Sequence, residues 1–181
     1  MATELQSIPR LQAKDLVSGN VDLELVRHAL HEVGFLVITD VSHVGIDAER
    51  VLALSREFFQ LPRERKLEIS YLDSPQFRGY MEMGRELTKG KVDMREQVEF
   101  GPEEEPRRGG GADVELFDRL RGRNKWPQVK GFRETFLRYL EKLEWLSRLI
   151  LEKAVAPSLP KGCDLASIID VVGSRSGKRA A

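Results

Sequence analysis

REFFQLPRERKLE, running from Arg56 to Glu68, sets two adjacent phenylalanines, a Leu-Pro stop and a dense charged turn in thirteen consecutive residues. Upstream, Asp47 is placed to cap a helix that runs to Phe59, with Val51, Leu52, Ser55, Phe58 and Phe59 on one side. Proline has no backbone N–H and a fixed φ, so Pro62 ends that helix and is accepted at the start of the next turn. The pattern predicts a helix corner: the Phe-Phe pair buries in the core while Arg63 to Lys66 stay solvated. Its role is structural.

Toward the N-terminus, Ile8-Pro9 opens an extended segment, because the residue before a proline is pushed out of the helical region. Asp22 precedes LELVRHALHEV, where Leu25, Val26, Ala29, Leu30 and Val33 fall at helical spacing and Gly34 ends the helix. FLVIT, Phe35 to Thr39, is apolar and β-branched, which predicts a buried strand. Helix, strand, helix is an α/β beginning.

Toward the C-terminus, Leu72 to Gly84 reads as a loop with a short strand, and Gln97 to Phe100 supplies another. Glu103 to Asp113 is a solvated loop whose Arg-Arg-Gly-Gly-Gly resembles half of an RGG tract in one copy only. Trp126-Pro127 opens the longest element, a helix over Gln128 to Val155 of roughly 40 Å. Val129, Phe132, Phe136, Leu140, Leu143, Ile150 and Ala154 make one stripe along it, while Trp145 and Leu149 fall on nearly the opposite face. Apolar residues on both sides call for a layer on each side. Pro157 and Pro160 end the helix, and of the remaining residues only LASIIDVV is apolar.

Composition excludes several classes. With 29 Lys+Arg against 29 Asp+Glu the net charge is zero, which speaks against a nucleic-acid partner. A single cysteine, Cys163, gives no intrachain disulfide and no Cys-rich zinc site. No signal-peptide core opens the chain and no run approaches the roughly 18 apolar residues of a membrane helix, so no membrane role and a cytoplasmic location are expected. The histidines are His28, His31 and His43. His28 and His31 stand three apart on a helix, close enough to share a metal in principle, and are read as two helix-surface histidines; a non-haem iron site needs two histidines and a carboxylate around open positions. No His-x-Asp occurs, and no histidine follows His43. Gly84 to Lys91 misses the phosphate-loop spacing, with valine after the lysine in place of a hydroxyl. Neither a catalytic nor a metal residue is assigned.

Taken in order, Ile8-Pro9, EVGFLVITDVSHVGI, REFFQLPRERKLE, RGYMEMGRE with KVDMREQVEF, and NKWPQVKGFRETFLRYLEKLEWLSRLIL resemble the N-terminal region of the iron(II)/2-oxoglutarate-dependent dioxygenases, in the isopenicillin N synthase-like branch. The resemblance covers Ile8 to Leu159, and Phe-Phe-x-Leu-Pro is a helix-ending signature of that family. It implies α/β elements packed against a jelly-roll barrel with the long helix as spine, an α/β (α+β) fold. It also implies Fe(II) and 2-oxoglutarate as cofactors. The barrel would carry His-x-Asp, a distal His and an Arg-x-Ser, none of which has a counterpart here. Only the 22 residues Pro160 to Ala181 follow Leu159, too few for eight strands.

The expectation is therefore a dioxygenase N-terminal domain over residues 1–159 and a short, partly disordered tail over 160–181, truncated before its barrel and catalytically incomplete alone. The alternative is a stand-alone binding module that docks on a partner such as a full-length dioxygenase. In either case the missing barrel or a partner protein is expected to cover the Trp145/Leu149 face. From family members that contact substrate through the segment matching FRGY, Arg78 and Tyr80 are candidates for the substrate mouth, beside the bland reading of a loop-packing tyrosine and a surface arginine. Ser42-His43-Val44-Gly45 is one residue longer than the family's Asn-His-Gly turn, and His43 is expected in a turn role. Asp93, Arg95 and Glu96 are expected to anchor their loop through salt bridges.

Overall fold

Asp22 accepts a hydrogen bond from the Leu25 amide at 3.0 Å, satisfying one of the donors a helix start leaves open. Computed as a structural model, the structure describes residues 7–105 and 119–155. These fall into two compact units, Met1–Ala48 with Glu141–Ala181, and Glu49–Leu140.

In the first unit, β1 (Arg10–Gln12) leads directly into a one-and-a-half-turn helix α1 (Ala13–Ser18) that periodicity had not signalled. Helix α2 (Leu23–His28) continues as a π-helical turn over Ala29–Val33 and ends at Gly34, whose φ of 79° is the left-handed close expected of it. Val26 and Ala29 are buried, but Leu30, expected on the same face, is exposed. The wider π turn breaks the 3.6-residue rhythm and rotates Leu30 outward. Strand β2 (Val37–Thr39) pairs in parallel with β1, Leu11 opposite Ile38. FLVIT is not a buried strand: Phe35 is 67% exposed and Val37 is also exposed, because the sheet has only two strands and no layer covers this side among the described residues. A 3-10 turn over Val41–Val44 holds exposed His43, so the turn role expected for it is what the structure shows.

In the second unit, α3 (Ala48–Phe59) buries Val51, Leu54 and Phe58. Leu52, placed by sequence on the buried side, points to solvent, and Leu54 takes its place. Helix α4 (Arg63–Leu67) starts right after Pro62, as the corner reading required. Strands β3 (Gly79–Met81) and β6 (Gln97–Glu99) pair antiparallel, with Tyr80 opposite Val98. Between them a small hairpin, β4 (Leu87–Thr88) and β5 (Lys91–Val92), turns at Lys89-Gly90. The core gathers Leu54, Phe58, Ile69, Tyr80, Val129 and Phe132, with Phe59, Val98, Phe100, Trp126 and Phe136 against it. The rings pack edge-on or offset: Phe58 on Phe59 at 5.2 Å, Phe132 on Phe136 at 4.2 Å, Phe100 on Trp126 at 4.7 Å.

Helix α5 (Phe132–Ile150) passes from the second unit into the first and closes with a π-helical turn over Leu151–Val155, which packs on α2. Leu146, absent from the expected stripe, is its most buried residue in the first unit's α-helical part. Trp145 is 39% exposed, with the Lys142 ammonium 5.4 Å from its ring centre, and Leu149 is half-buried. The described residues make an α+β fold with three two-stranded sheets and no closed barrel. No helix among them is long and apolar enough to cross a membrane. Pro157, Pro160, LASIIDVV, the 160–181 tail, Cys163 and the Arg-Arg-Gly-Gly-Gly run lie outside the described residues.

Candidate functional site

Both candidate substrate residues sit on one turn-and-strand. The Ser74 hydroxyl accepts from the Arg78 amide at 3.0 Å and the Ser74 carbonyl from the Phe77 amide at 3.0 Å, which folds the turn. Phe77 stands exposed at its apex with a φ of 56°, a left-handed conformation uncommon outside glycine. Arg78 follows, half-buried. Its Nη2 donates to the Leu120 carbonyl at 3.2 Å, its guanidinium lies flat over Gly101, and its Nε is buried with no hydrogen-bond partner.

Tyr80 is placed differently. It is 2% exposed, its ring meets Phe58 edge-on at 5.9 Å, and its hydroxyl donates to Glu96 at 2.6 Å. Lys66 completes the group: its ammonium donates to Glu96 at 2.7 Å and to the Phe59 carbonyl at 3.3 Å, and lies 5.3 Å from the Tyr80 ring centre. Lys66 is therefore not solvated as the charged turn suggested. One turn after Pro62 it points inward, takes the carbonyl that α3 leaves open at Phe59, and neutralises Glu96. Burial pushes the Tyr80 hydroxyl well above its ordinary value, and the Glu96 hydrogen bond adds to this, so Tyr80 stays protonated. For Glu96, burial raises the pKa, but the hydrogen bonds from Lys66 and Tyr80 outweigh it and hold the carboxyl below the ordinary 4.5.

A carboxylate with a depressed pKa stabilises the fold above its unfolded-state value, and that contribution is lost as pH falls through the folded one. Glu96→Gln is thus expected to cost about 1–3 kcal/mol at pH 7 and to make melting less sensitive to acid below about pH 4.5. Melting temperatures of both proteins at pH 7 and pH 3 check this. An equal loss on acidification in the two would remove Glu96 from the account.

The acidic and basic residues around this strand anchor loops. Arg95 pairs with Glu86 across the hairpin, Arg63 with Glu82, and Glu96 with Lys66, while the Asp93 backbone pairs with Glu86 and Gly84. The salt-bridge anchoring expected of Asp93, Arg95 and Glu96 is found for Arg95 and Glu96, through partners outside the cluster, whereas Asp93 anchors the loop through its backbone. Lys66–Glu96 and Asn124 were not foreseen. Asn124 is buried and closes two hydrogen bonds with Gly101, at 2.9 and 2.8 Å.

No iron site can be assembled from these residues. Among the described residues no three His, Cys, Asp or Glu side chains come together to hold a metal ion. His28 and His31 are exposed, and the His31 Nδ1 is engaged with Glu32 at 2.7 Å. The donors among the described residues do not fit the metal that the resemblance implies, and no chemical step is derived through it.

Comparison with known proteins gives a consistent picture. The family described as non-haem dioxygenase in morphine synthesis N-terminal matches residues 8–129. The 2-oxoglutarate-dependent dioxygenase frbJ of Dothideomycetidae sp. (strain 11243) is 38% identical over 122 residues, 67% of this chain and 32% of that protein. Homoarginine-6-hydroxylase 2-ODD-233 of Oryza sativa subsp. japonica is 28% identical over 165 residues, 83% of this chain and 49% of its own. The crystal structure of a full-length Neurospora crassa protein in complex with alpha-KG superposes with a TM-score of 0.58 at 23% identity, over 84% of this chain and 49% of that one, a likeness of fold. The chain spans about a third to a half of the length of these relatives. With the match running from just before β1 to the start of the long helix, this chain belongs to the non-haem dioxygenase N-terminal family, the N-terminal region of the iron(II)/2-oxoglutarate-dependent dioxygenases.

Proposed function

We propose that residues 1–159 are the N-terminal domain of a cytoplasmic oxidoreductase of the iron(II)/2-oxoglutarate-dependent class acting on a small organic substrate, with 160–181 a short tail. The ligands for iron and 2-oxoglutarate come from a jelly-roll barrel that these residues do not supply, so the chain alone is catalytically incomplete. The family match over residues 8–129 carries this reading, and a histidine complement that ends at His43 supports it. Within it, Arg78 is the side chain offered to substrate at the mouth, and Tyr80 is the wall beneath, fixing the strand that presents Arg78. Titrating iron(II) with 2-oxoglutarate into the purified chain is expected to show no stoichiometric uptake. A tight one-to-one site would sink the proposal.

A second reading, a binding module that docks on a full-length dioxygenase, is favoured by exposed Trp145 in the first unit. In both readings the barrel or the partner covers the Trp145/Leu149 face. Replacing Trp145 and Leu149 by glutamine is expected to raise the solubility of the isolated chain, measured as the soluble fraction after centrifugation. Loss of folding would mean that the chain already covers this face itself.

A further inference from the structure

Arg78 is held by a segment that is fixed unevenly along its length. Residues 119–126 run beside 103–105, with a parallel bridge between Glu103 and Gly122 and the Glu104 amide donating to the Gly122 carbonyl at 3.4 Å. At the inner end Asn124 is fixed on two sides. Its side chain bonds both backbone groups of Gly101, and its amide and Nδ2 donate to Glu103 at 3.1 and 2.6 Å. Outward of Asn124 one backbone hydrogen bond at Gly122 is flanked by two ion pairs: Arg121 to Glu104 at 3.3 Å, partly shielded, and Arg123 to Glu105 at 2.9 Å, at the surface. Leu120, whose carbonyl holds the Arg78 Nη2, lies on this outer side.

We propose that residues 119–123 form a strap that parks Arg78, swinging on Asn124 and latched in part by Glu104 and Glu105. Latched, the guanidinium lies between the Leu120 carbonyl and Gly101, and its buried Nε has no partner. Released, Arg78 loses a neutral acceptor and its Nε meets solvent, so the same planar donor set becomes available to a carboxylate, for which guanidinium geometry is suited. The latch is graded, because the surface pair is weakened by salt and the shielded pair much less. The strap deepens the proposed role of Arg78 at the substrate mouth and rests on it. It makes that mouth conditional on a segment that carries no substrate contact itself.

The test uses the full 181-residue chain and Glu104→Gln/Glu105→Gln, followed by NMR. In the variant the Glu104 amide is expected to exchange with solvent about tenfold faster, while the amides of Asn124 and Tyr80 keep their wild-type rates. Acetate, added as the probe, is expected to shift the Arg78 Nε–H resonance in the variant and to leave it in place in the wild type. Equal acceleration at Glu104, Asn124 and Tyr80 means general loosening and overturns the hinge. An identical acetate response in the two proteins overturns the parking of Arg78. Should the double variant unfold, Arg123→Gln removes only the surface pair and is read the same way, with about a two- to fivefold change. A barrel-containing enzyme whose turnover ignores Arg78→Lys would refute the substrate role, while the strap would stand on the acetate result alone.

Discussion

Phe58→Ala is expected to destabilise the unit Glu49–Leu140 by about 3–5 kcal/mol, the largest side-chain effect expected among the described residues. Phe58 is fully buried and touches three other rings: Phe59 at 5.2 Å, and Tyr80 and Phe132 each at 5.9 Å. Truncation removes the transfer free energy of the ring and leaves a cavity that α3, β3 and α5 cannot all move to fill. Leu52→Ala on the same helix is the control, because Leu52 is exposed and its loss is expected within about 0.5 kcal/mol. Alanine favours helix at both positions, so the contrast isolates burial. Of the two tryptophans, Trp126 stacks on Phe100 in this unit, and in a Trp145→Phe background it reports urea unfolding there. A midpoint shift for Phe58→Ala no larger than that for Leu52→Ala would mean that the aromatic cluster is not the core.

The same pair of residues shows how much was legible in the sequence. Phe-Phe-x-Leu-Pro predicted the corner, Phe58 is buried and α4 restarts after Pro62, because proline and helical spacing act locally. Leu52 was misplaced against helical geometry: at about 100° per residue it stands roughly 100° from Val51 and roughly 160° from Leu54, so it cannot share the face that Val51, Leu54 and Phe58 bury. Leu30 was misplaced for another reason, a π-helical turn that has no sequence signature in propensity or pattern. FLVIT did become a strand, but its burial depended on a covering layer that the described residues do not provide. At the candidate site, Arg78 and Tyr80 came from resemblance, and their different surroundings could not be read from adjacency. Lys66 and Glu96 are thirty residues apart, and opposite charges at that spacing are too common in a chain that is one-third charged to mark a pair. The local signals were readable and the long-range pairings were not.

Gly79→Ala is expected to cost about 3 kcal/mol or more, although it adds one methyl group. Two penalties coincide there. Gly79 has a φ of 119°, a region that side-chain-bearing residues rarely adopt, and a Cβ would overlap the Ile69 carbonyl oxygen. That oxygen accepts the Tyr80 amide at 2.7 Å, the bond that joins β3 to the end of α4, and backbone cannot rotate away as a flexible side chain could. Gly19→Ala separates the penalties, since Gly19 has a φ of 79° with nothing within 4 Å of the added methyl, leaving about 1 kcal/mol of conformational strain alone. Urea midpoints of the two variants against the parent give the difference, and equal shifts would show that the close approach to Ile69 is not rigid. The position has consequences beyond stability. Gly79 lies between Arg78 and Tyr80, so a shift of the strand that relieves the clash moves the guanidinium over Gly101 or the hydroxyl on Glu96, unless the Ile69 backbone gives way instead. A strand that turns one residue outward and buries the next needs close backbone contact at the joint, and glycine is the residue that permits it.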